Sequence, residues 1–91
     1  MSDVLKGEIA LVTGASRGIG AAIADTLAAQ GARVIGTATS EAGAQAISAR
    51  LAAHDGAGRV LDVNDAAAVE ALLADIGKEF GALSILVNNA G

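Results

Sequence analysis

Apolar residues occur along this chain in two kinds of block. Short, nearly continuous apolar runs predict buried strands. These runs cover residues 9–12, 33–37, 59–63 and 84–87. Between them lie longer segments in which apolar side chains recur every three or four residues, the spacing of one face of a helix. These segments cover residues 21–30, residues 40–53 and the stretch between Asp65 and Gly81. The pattern therefore predicts strands and helices in strict alternation.

Polar residues and glycines mark the ends of the predicted helices. Gly31 and Gly81 stand where a left-handed residue commonly ends a helix. Ser40 is a candidate N-cap for the second helix, and Asn64 or Asp65 for the third. The bulky side chains predicted to face the core are Ile23, Leu27, Ile47, Leu51, Val69, Leu72, Leu73 and Ile76. Each helix is thus expected to pack one apolar face on a sheet.

Strands that alternate with helices pair in parallel and are joined by right-handed crossovers. We therefore predict an α/β fold, the N-terminal half of a Rossmann-type doubly wound parallel sheet, built as βαβαβαβ with strand order 3-2-1-4. In that order the fourth strand is an edge, yet Ile85, Leu86 and Val87 are unusually apolar for an exposed edge. Residues 1–91 are expected to be the N-terminal part of a single Rossmann-fold domain that continues past this strand.

The segment between the first strand and the first helix is rich in glycine. It runs Thr13-Gly14-Ala15-Ser16-Arg17-Gly18-Ile19-Gly20. Gly14 can turn the chain out of the strand, Gly18 can let the backbone approach a pyrophosphate, and Gly20 can let the helix pack closely. The following helix N-terminus offers unpaired N–H groups and a partial positive charge to phosphates. A purely structural turn is the alternative, but the position between a strand and a helix favours nucleotide binding.

The end of the second predicted strand indicates which nucleotide is bound. NAD-binding proteins of this fold carry an acidic residue about 20 residues beyond the glycine turn. Here Ala38 occupies that position, and no carboxylate follows until Glu41. A 2′-phosphate requires cations and hydroxyl donors, which Arg17, Thr39 and Ser40 can supply. The predicted cofactor is NADP(H).

Composition excludes several other classes of protein. The chain is 53% hydrophobic and 18% charged, too apolar for a disordered segment. Cysteine is absent and His54 is the single histidine, so we expect no metal site. A net charge of −4 without a basic stripe argues against a nucleic-acid partner. The apolar runs are too short for a membrane span, and the N-terminus has no signal-peptide pattern. A cytosolic location is therefore expected.

Two motifs resemble those of a known family. The segment from Thr13 to Gly20 matches the TGxxxGxG turn of the short-chain dehydrogenases/reductases, and the segment from Asn88 to Gly91 matches their NNAG motif. The asparagines alone could be turn formers, but the two motifs occur in the family's order and spacing. The resemblance covers essentially all 91 residues. It is strongest to the bacterial branch that reduces 3-oxoacyl thioesters carried on acyl carrier protein.

The resemblance implies a cofactor site formed by several segments. Phosphates and ribose would lie against Gly14, Ala15, Ser16, Arg17, Gly18, Ile19 and Gly20. The adenosine side would lie against Thr39, Asp62, Val63, Asn89, Ala90 and Gly91. Within that set, Thr39 would approach the 2′-phosphate and Asp62 the adenine amino group. A favourable interaction of Asp62 with the nearby helix N-terminus is the simpler alternative.

The resemblance also implies a reaction and an assembly. The reaction would be NADPH-dependent reduction of an acyl-carrier-protein-linked 3-oxoacyl group to the 3-hydroxyacyl form in fatty-acid synthesis, catalysed by a homotetramer. The family's catalytic Ser, Tyr, Lys and Asn follow the NNAG motif, and this sequence contains no Tyr. Catalytic residues are therefore expected beyond Gly91. Two alternatives stay open: another NADP-linked member of the family acting on a different ketone or alcohol, and a non-catalytic nucleotide-binding module.

Overall fold

The structure is a computed structural model that describes residues 4–89. Its strands are β1 (Ile9–Val12), β2 (Arg33–Ala38), β3 (Ala57–Val60) and β4 (Ile85–Val87). Its helices are α1 (Gly18–Ala29), α2 (Glu41–Leu51) and α3 (Ala66–Glu79), with a short 3-10 turn at Ala52–His54. The predicted alternation of strands and helices is confirmed.

The four strands form one parallel sheet in the order β3-β2-β1-β4, as predicted. At the carboxyl end of β1, Val12 lies opposite both Gly36 of β2 and Val87 of β4. At the carboxyl end of β2, Ala38 lies opposite Val60 of β3. Because the strands are parallel, the segments that follow them all emerge at one edge of the sheet, where ligands bind in open α/β folds.

Helices cover both faces of the sheet. Successive side chains along a strand point to opposite faces. Val12 and Val34 accordingly belong to a buried cluster with α1 and α2, whereas Leu11 and Ile35 pack with α3. The two clusters form the core on either side of the sheet.

Small residues, rather than the predicted bulky ones, make the closest contact between α1 and the sheet. The buried positions of α1 are Gly20, Ala24 and Ala28. Ile23 and Leu27 are only partly buried beside them. The predicted stripe residues thus pack against the core, but the innermost face of α1 consists of small residues, because a helix that lies close to the sheet has no room for larger side chains there.

The third strand lies earlier in the chain than the predicted segment 59–63. It occupies Ala57–Val60. Gly58, which lies outside the predicted segment, is part of the strand because it pairs with Gly36 of β2, and α2 crosses directly over it. A β-carbon at that position would overlap the carbonyl oxygen of Ala44. As a consequence, Asp62 follows the strand instead of belonging to it.

The predicted caps of α2 and α3 and the glycines predicted to end α1 and α3 are confirmed, whereas α1 begins earlier than predicted. Ser40 caps α2 and Asp65 caps α3, each by accepting a hydrogen bond from the backbone N–H three residues later at 3.1 Å. Gly31 and Gly81, which follow α1 and α3, have φ angles of 101° and 114°. A residue with a side chain rarely adopts these angles, which explains glycine at both positions.

The side of the sheet near β4 is partly open. Leu72 and Ile76 of α3 are buried as predicted, and Val69 is half-buried. Leu73 was also predicted to be buried, but it is 41% exposed. It lines an open groove of about 160 Å³ together with Leu86, which is 61% exposed on β4. The edge strand therefore presents the apolar surface that its sequence suggested.

Candidate nucleotide-binding site

A cavity lies at the edge of the sheet where the carboxyl ends of β1, β2 and β3 meet. Its volume is about 290 Å³. It is lined by Gly14, Ser16, Thr37, Ala38, Thr39, Leu61, Asp62, Val63 and Asn64. Five of these residues, from three separate segments, are among those the sequence assigned to a cofactor. The fold thus brings the glycine turn, the end of β2 and the segment after β3 to one place.

The glycine turn has the backbone conformation that its sequence predicts. Gly14 and Gly18 have φ angles of 64° and 65°, in the left-handed region that glycine adopts without strain. Gly18 also begins α1, three residues earlier than predicted, so the end of the turn is already helical. A β-carbon on Gly20 would overlap the carbonyl oxygen of Gly14 and lie 2.6 Å from Nδ2 of Asn89. The turn can therefore fold back on the helix only if Gly20 has no side chain.

Thr37 of β2 holds the beginning of the turn in place. Its hydroxyl oxygen accepts a hydrogen bond from the Gly14 N–H at 3.3 Å, and its carbonyl oxygen accepts one from the Ala15 N–H at 2.8 Å. Thr37 is only 1% exposed. The sequence alone does not indicate this role, because threonine is common in strands for other reasons.

The next five backbone N–H groups, those of residues 16–20, are available to a ligand. Among residues 4–89 they have no hydrogen-bond acceptor. Arg17, the N-cap residue of α1, makes no side-chain capping bond, and the first turn contains no acidic residue. Both α2 and α3, by contrast, are capped by side chains. An uncapped helix N-terminus concentrates hydrogen-bond donors and partial positive charge, which suits a phosphate.

The end of β2 presents hydroxyl groups but no carboxylate to the cavity. Thr39 and Ser40 are exposed, and Ala38 is 5% exposed with its methyl group directed toward Gly43 of α2. Arg17 is exposed, and the guanidinium makes no ion pair with any residue that the structure describes. The arrangement supplies a cation from the turn and two hydroxyls from the end of β2, whereas the carboxylate that lines the cavity, that of Asp62, belongs to the segment after β3.

The segment after β3 forms the opposite wall of the cavity. The Asp62 carboxylate accepts a hydrogen bond from the Asn64 N–H at 2.9 Å, which makes a local turn. Asp62 does not cap the third helix, because Asp65 performs that function through Ala68. The Asp62 side chain is exposed, and Val63 beside it is half-buried.

The end of β4 is tied to the glycine turn. The Asn89 N–H donates to the Thr13 hydroxyl oxygen at 3.0 Å, and its side-chain amide donates to the Gly14 carbonyl oxygen at 3.2 Å. The Thr13 hydroxyl donates to the Asn88 side chain at 3.2 Å. The sequence placed Ala90 and Gly91 in the same site, but they lie outside the described residues. Asn88 and Asn89 are therefore more than turn formers, since they fix the turn to the sheet.

Arg50 of α2 also contacts this turn, although nothing in the local sequence indicates it. Its guanidinium donates to the Ala15 carbonyl oxygen at 3.3 Å. The two residues are 35 positions apart, so the helical pattern alone presents Arg50 as an ordinary surface cation.

Comparison with known proteins identifies the family. The sequence profile of the short chain dehydrogenases matches residues 8–91, which includes the glycine turn and the asparagines after β4. The chain belongs to the short-chain dehydrogenase family. Its four-stranded parallel sheet with helices on both faces is the N-terminal part of the family's Rossmann-type fold.

Several curated members of the family are similar to the chain over almost all of its length. The 3-oxoacyl-[acyl-carrier-protein] reductase FabG of Escherichia coli is 66% identical over 86 residues, which are 94% of this chain and 35% of that protein. The Haemophilus influenzae enzyme of the same name is 59% identical, covering 96% of this chain and 36% of that protein. The Pseudomonas aeruginosa enzyme is 55% identical with the same coverage. The chain spans about a third of the length of these relatives.

One further property of the fold is relevant to a membrane partner. Among residues 4–89, no helix combines the length and the apolar character that are required to cross a bilayer.

Proposed function

We propose that this sequence is the cofactor-binding front part of an NADPH-dependent 3-oxoacyl-acyl-carrier-protein reductase of fatty-acid synthesis. The observation that carries the proposal is the uncapped glycine turn at the carboxyl edge of the sheet, in a chain 66% identical to such a reductase. The exposed apolar edge strand and the coverage of about a third of each relative support the front-part assignment.

In this proposal the turn binds the pyrophosphate through backbone N–H groups. Residues 16–20 offer five such groups, and Gly18 leaves the backbone uncovered by a side chain. A site of this kind binds the phosphate charge by hydrogen bonds and by the helix dipole, without a metal ion. Ala15 directly precedes these donors, and the Ile19 N–H is one of them.

The adenosine end is proposed to carry a 2′-phosphate. Thr39 lines the cavity, and the exposed residues Arg17 and Ser40 directly follow the lining residues Ser16 and Thr39 in the chain. Together they supply a guanidinium and two hydroxyls, and no carboxylate is present at Ala38 to repel the phosphate. The adenine is placed against Asp62 and Val63 on the opposite wall. The proposal extends this adenosine site to Asn89, Ala90 and Gly91.

The described residues bind and orient the cofactor but do not complete the reaction. Bound NADPH supplies the hydride, and reduction of a ketone also needs a group that donates a proton to the carbonyl oxygen. The family's tyrosine for that step has no counterpart in this sequence, which contains no Tyr. The proposal assigns proton transfer, the substrate site, the homotetramer contacts and the cytosolic setting to the whole natural polypeptide.

The first experiment compares the two nicotinamide cofactors and the substrate. Isothermal titration calorimetry on the natural polypeptide that carries this sequence measures the Kd of NADPH and of NADH. Spectrophotometry then follows NADPH oxidation with an acyl-carrier-protein-linked 3-oxoacyl substrate and with unrelated ketones. Tight NADPH binding and turnover of the thioester are expected. Turnover of another ketone alone would move the protein to a different branch of the family, and binding without turnover would make it a nucleotide-binding module.

Arg17→Ala tests the cofactor form. Loss of the guanidinium is expected to weaken NADPH binding about tenfold or more, because charge-assisted hydrogen bonds to phosphate are among the stronger polar contacts. NADH binding is expected to change little, since NADH has no 2′-phosphate. Equal losses for both cofactors, measured by the same titration, would contradict a role for Arg17 at the 2′-phosphate.

A further inference from the structure

Arg50 joins α2 to the glycine turn and to α1. Its Nη1 donates to the Ala15 carbonyl oxygen at 3.3 Å, and its Nη2 donates to the Ala21 carbonyl oxygen at 3.2 Å. Nη2 also lies 2.7 Å from the carboxylate of Asp25 on α1. One side chain thus connects the helix that follows β2 to both ends of the phosphate-binding segment.

The bond to Ala15 fixes the orientation of one particular peptide unit. The carbonyl of Ala15 and the N–H of Ser16 belong to the same planar trans peptide, in which the two groups point in opposite directions. A guanidinium that holds the Ala15 oxygen therefore sets the direction of the Ser16 N–H. That N–H is the first of the five that have no acceptor among residues 4–89, and Ser16 lines the cavity.

Residues other than Arg50 fix the neighbouring backbone groups of the turn, whereas the orientation of the Ala15 carbonyl depends on Arg50. The N–H groups of Gly14 and Ala15 bond to Thr37, and the Gly14 carbonyl oxygen accepts from Asn89. In the described residues, Arg50 is the hydrogen-bond donor to the Ala15 oxygen. Its removal would leave this peptide free to rotate while the preceding one stays fixed.

We propose that Arg50 is a positioning residue, which holds the Ala15–Ser16 peptide so that the Ser16 N–H faces the cofactor phosphates. The inference rests on the proposed function, because it concerns the same nucleotide site. Arg50 does not itself contact the phosphates in this role. Since the pyrophosphate is common to both cofactors, the contribution is the same for NADPH and NADH, which distinguishes Arg50 from Arg17.

The ion pair with Asp25 has a secondary function here. The two side chains are 33% and 57% exposed, and exposed ion pairs contribute little stability by themselves. The carboxylate instead keeps the guanidinium in the orientation from which its planar fork reaches two carbonyl oxygens. A lysine has one point-like ammonium group and does not reproduce that fork.

The test compares two arginines that are alike except for their position. Arg59 on β3 is 34% exposed, and its guanidinium pairs with Asp75 of α3 at 2.9 Å and not with the turn, so Arg59→Met is the matched control for Arg50→Met. The natural polypeptide and its variants are titrated with NADPH and with NADH, at a temperature well below the thermal midpoint of each variant. Arg50→Met is expected to raise both Kd values by the same factor, roughly three- to tenfold, the loss expected for one or two hydrogen bonds. Arg59→Met is expected to leave both Kd values within about twofold of the unchanged protein.

Two further variants separate positioning from folding. Arg50→Lys keeps the positive charge beside Asp25 and provides a milder change if Arg50→Met does not fold. It is also expected to weaken the binding of both NADPH and NADH. Asp25→Asn keeps the two carbonyl contacts and is expected to have a smaller effect than either Arg50 variant. Lower thermal midpoints with unchanged Kd values in the Arg50 variants would show a purely structural tie between helices and would overturn the inference.

If the Arg50 variants bound NADPH more weakly but NADH normally, the result would also contradict this role, since it would place Arg50 at the 2′-phosphate. Failure of the unchanged protein to bind either cofactor would refute the proposed function and this inference together. Normal binding by the unchanged protein and by both Arg50 variants would refute the inference alone.

Discussion

Gly20 and Gly77 both lie inside helices, but their surroundings differ. A β-carbon on Gly20 would overlap the glycine turn, whereas one on Gly77 would meet no atom within 4 Å. Glycine normally weakens a helix relative to alanine. Its presence at position 20 is therefore required by a close contact, and its presence at position 77 is not.

The same substitution at these two positions is expected to have opposite effects. Gly20→Ala should lower the free energy of unfolding by about 1–3 kcal/mol, because the methyl group displaces the turn. It should also weaken cofactor binding. Gly77→Ala should raise the free energy of unfolding by about 0.5 kcal/mol and leave binding unchanged. Urea denaturation and NADPH titration measure both effects. A neutral Gly20→Ala variant would show that the turn tolerates displacement.

Ala38 is the residue at which the preference between cofactors can be reversed. Its methyl group faces the N-terminal turn of α2, beside Thr39 and Ser40. In Ala38→Asp a carboxylate would repel a 2′-phosphate and accept hydrogen bonds from a free ribose hydroxyl. The ratio of the NADPH Kd to the NADH Kd should therefore rise about tenfold or more. An unchanged ratio would mean that the ribose does not lie at the end of β2.

The helices differ in whether a side chain accepts a hydrogen bond from the backbone N–H groups at their N-termini. Ser40 and Asp65 accept hydrogen bonds from Gly43 and Ala68, whereas α1 has no side-chain cap. A cap neutralises the donors that would otherwise bind an anion. The uncapped helix is thus the one whose donors are free for phosphate, and the capped helices are fixed in place by their own side chains.

Removing the two caps tests this division between stability and binding. Ser40→Ala and Asp65→Ala should each lower the free energy of unfolding by about 1 kcal/mol, the usual value of an N-cap. Because the Ser40 hydroxyl is proposed to reach the 2′-phosphate, Ser40→Ala should also weaken the binding of NADPH more than that of NADH. Asp65→Ala is the control and should not change the ratio of the two Kd values. Equal ratios in both variants would restrict Ser40 to its capping role.

The sheet has two edges, and each carries an exposed apolar residue. Leu86 on β4 is 61% exposed and Val60 on β3 is 46% exposed. Leu86 also shares the open groove with Leu73. Under the proposed front-part assignment, the rest of the polypeptide is expected to cover the β4 side, because this edge and groove are the more apolar.

This difference between the edges is measurable in the natural polypeptide. Leu86→Glu should lower the free energy of unfolding by about 2–4 kcal/mol, since it would bury a carboxylate where an apolar residue packs. Val60→Glu should lower it by less than about 1 kcal/mol, because that edge stays exposed to water. Chemical denaturation of both variants gives the comparison. Similar, small losses at both positions would show that β4 remains an exposed edge.

Features that depend on neighbouring residues can be read directly from the sequence. The alternation of apolar runs and helical faces, the caps at Ser40 and Asp65, and the ends at Gly31 and Gly81 are local signals, and the structure confirms all of them. The parallel pairing of the strands follows from the same alternation, because a helix between two strands of one sheet usually joins them in parallel through a right-handed crossover.

Features that depend on how closely two elements approach each other are set by the packing of the whole fold. This packing selected small residues as the inner face of α1 and placed Gly58 within β3. It also brought Asn89 and Arg50 to the glycine turn from positions 75 and 35 residues away. Helical periodicity shows which face of α2 is polar, but only packing of α2 beside α1 decides that Arg50 reaches a carbonyl oxygen instead of water. The residues that hold the turn therefore come from the whole fold, although the turn itself consists of eight consecutive residues.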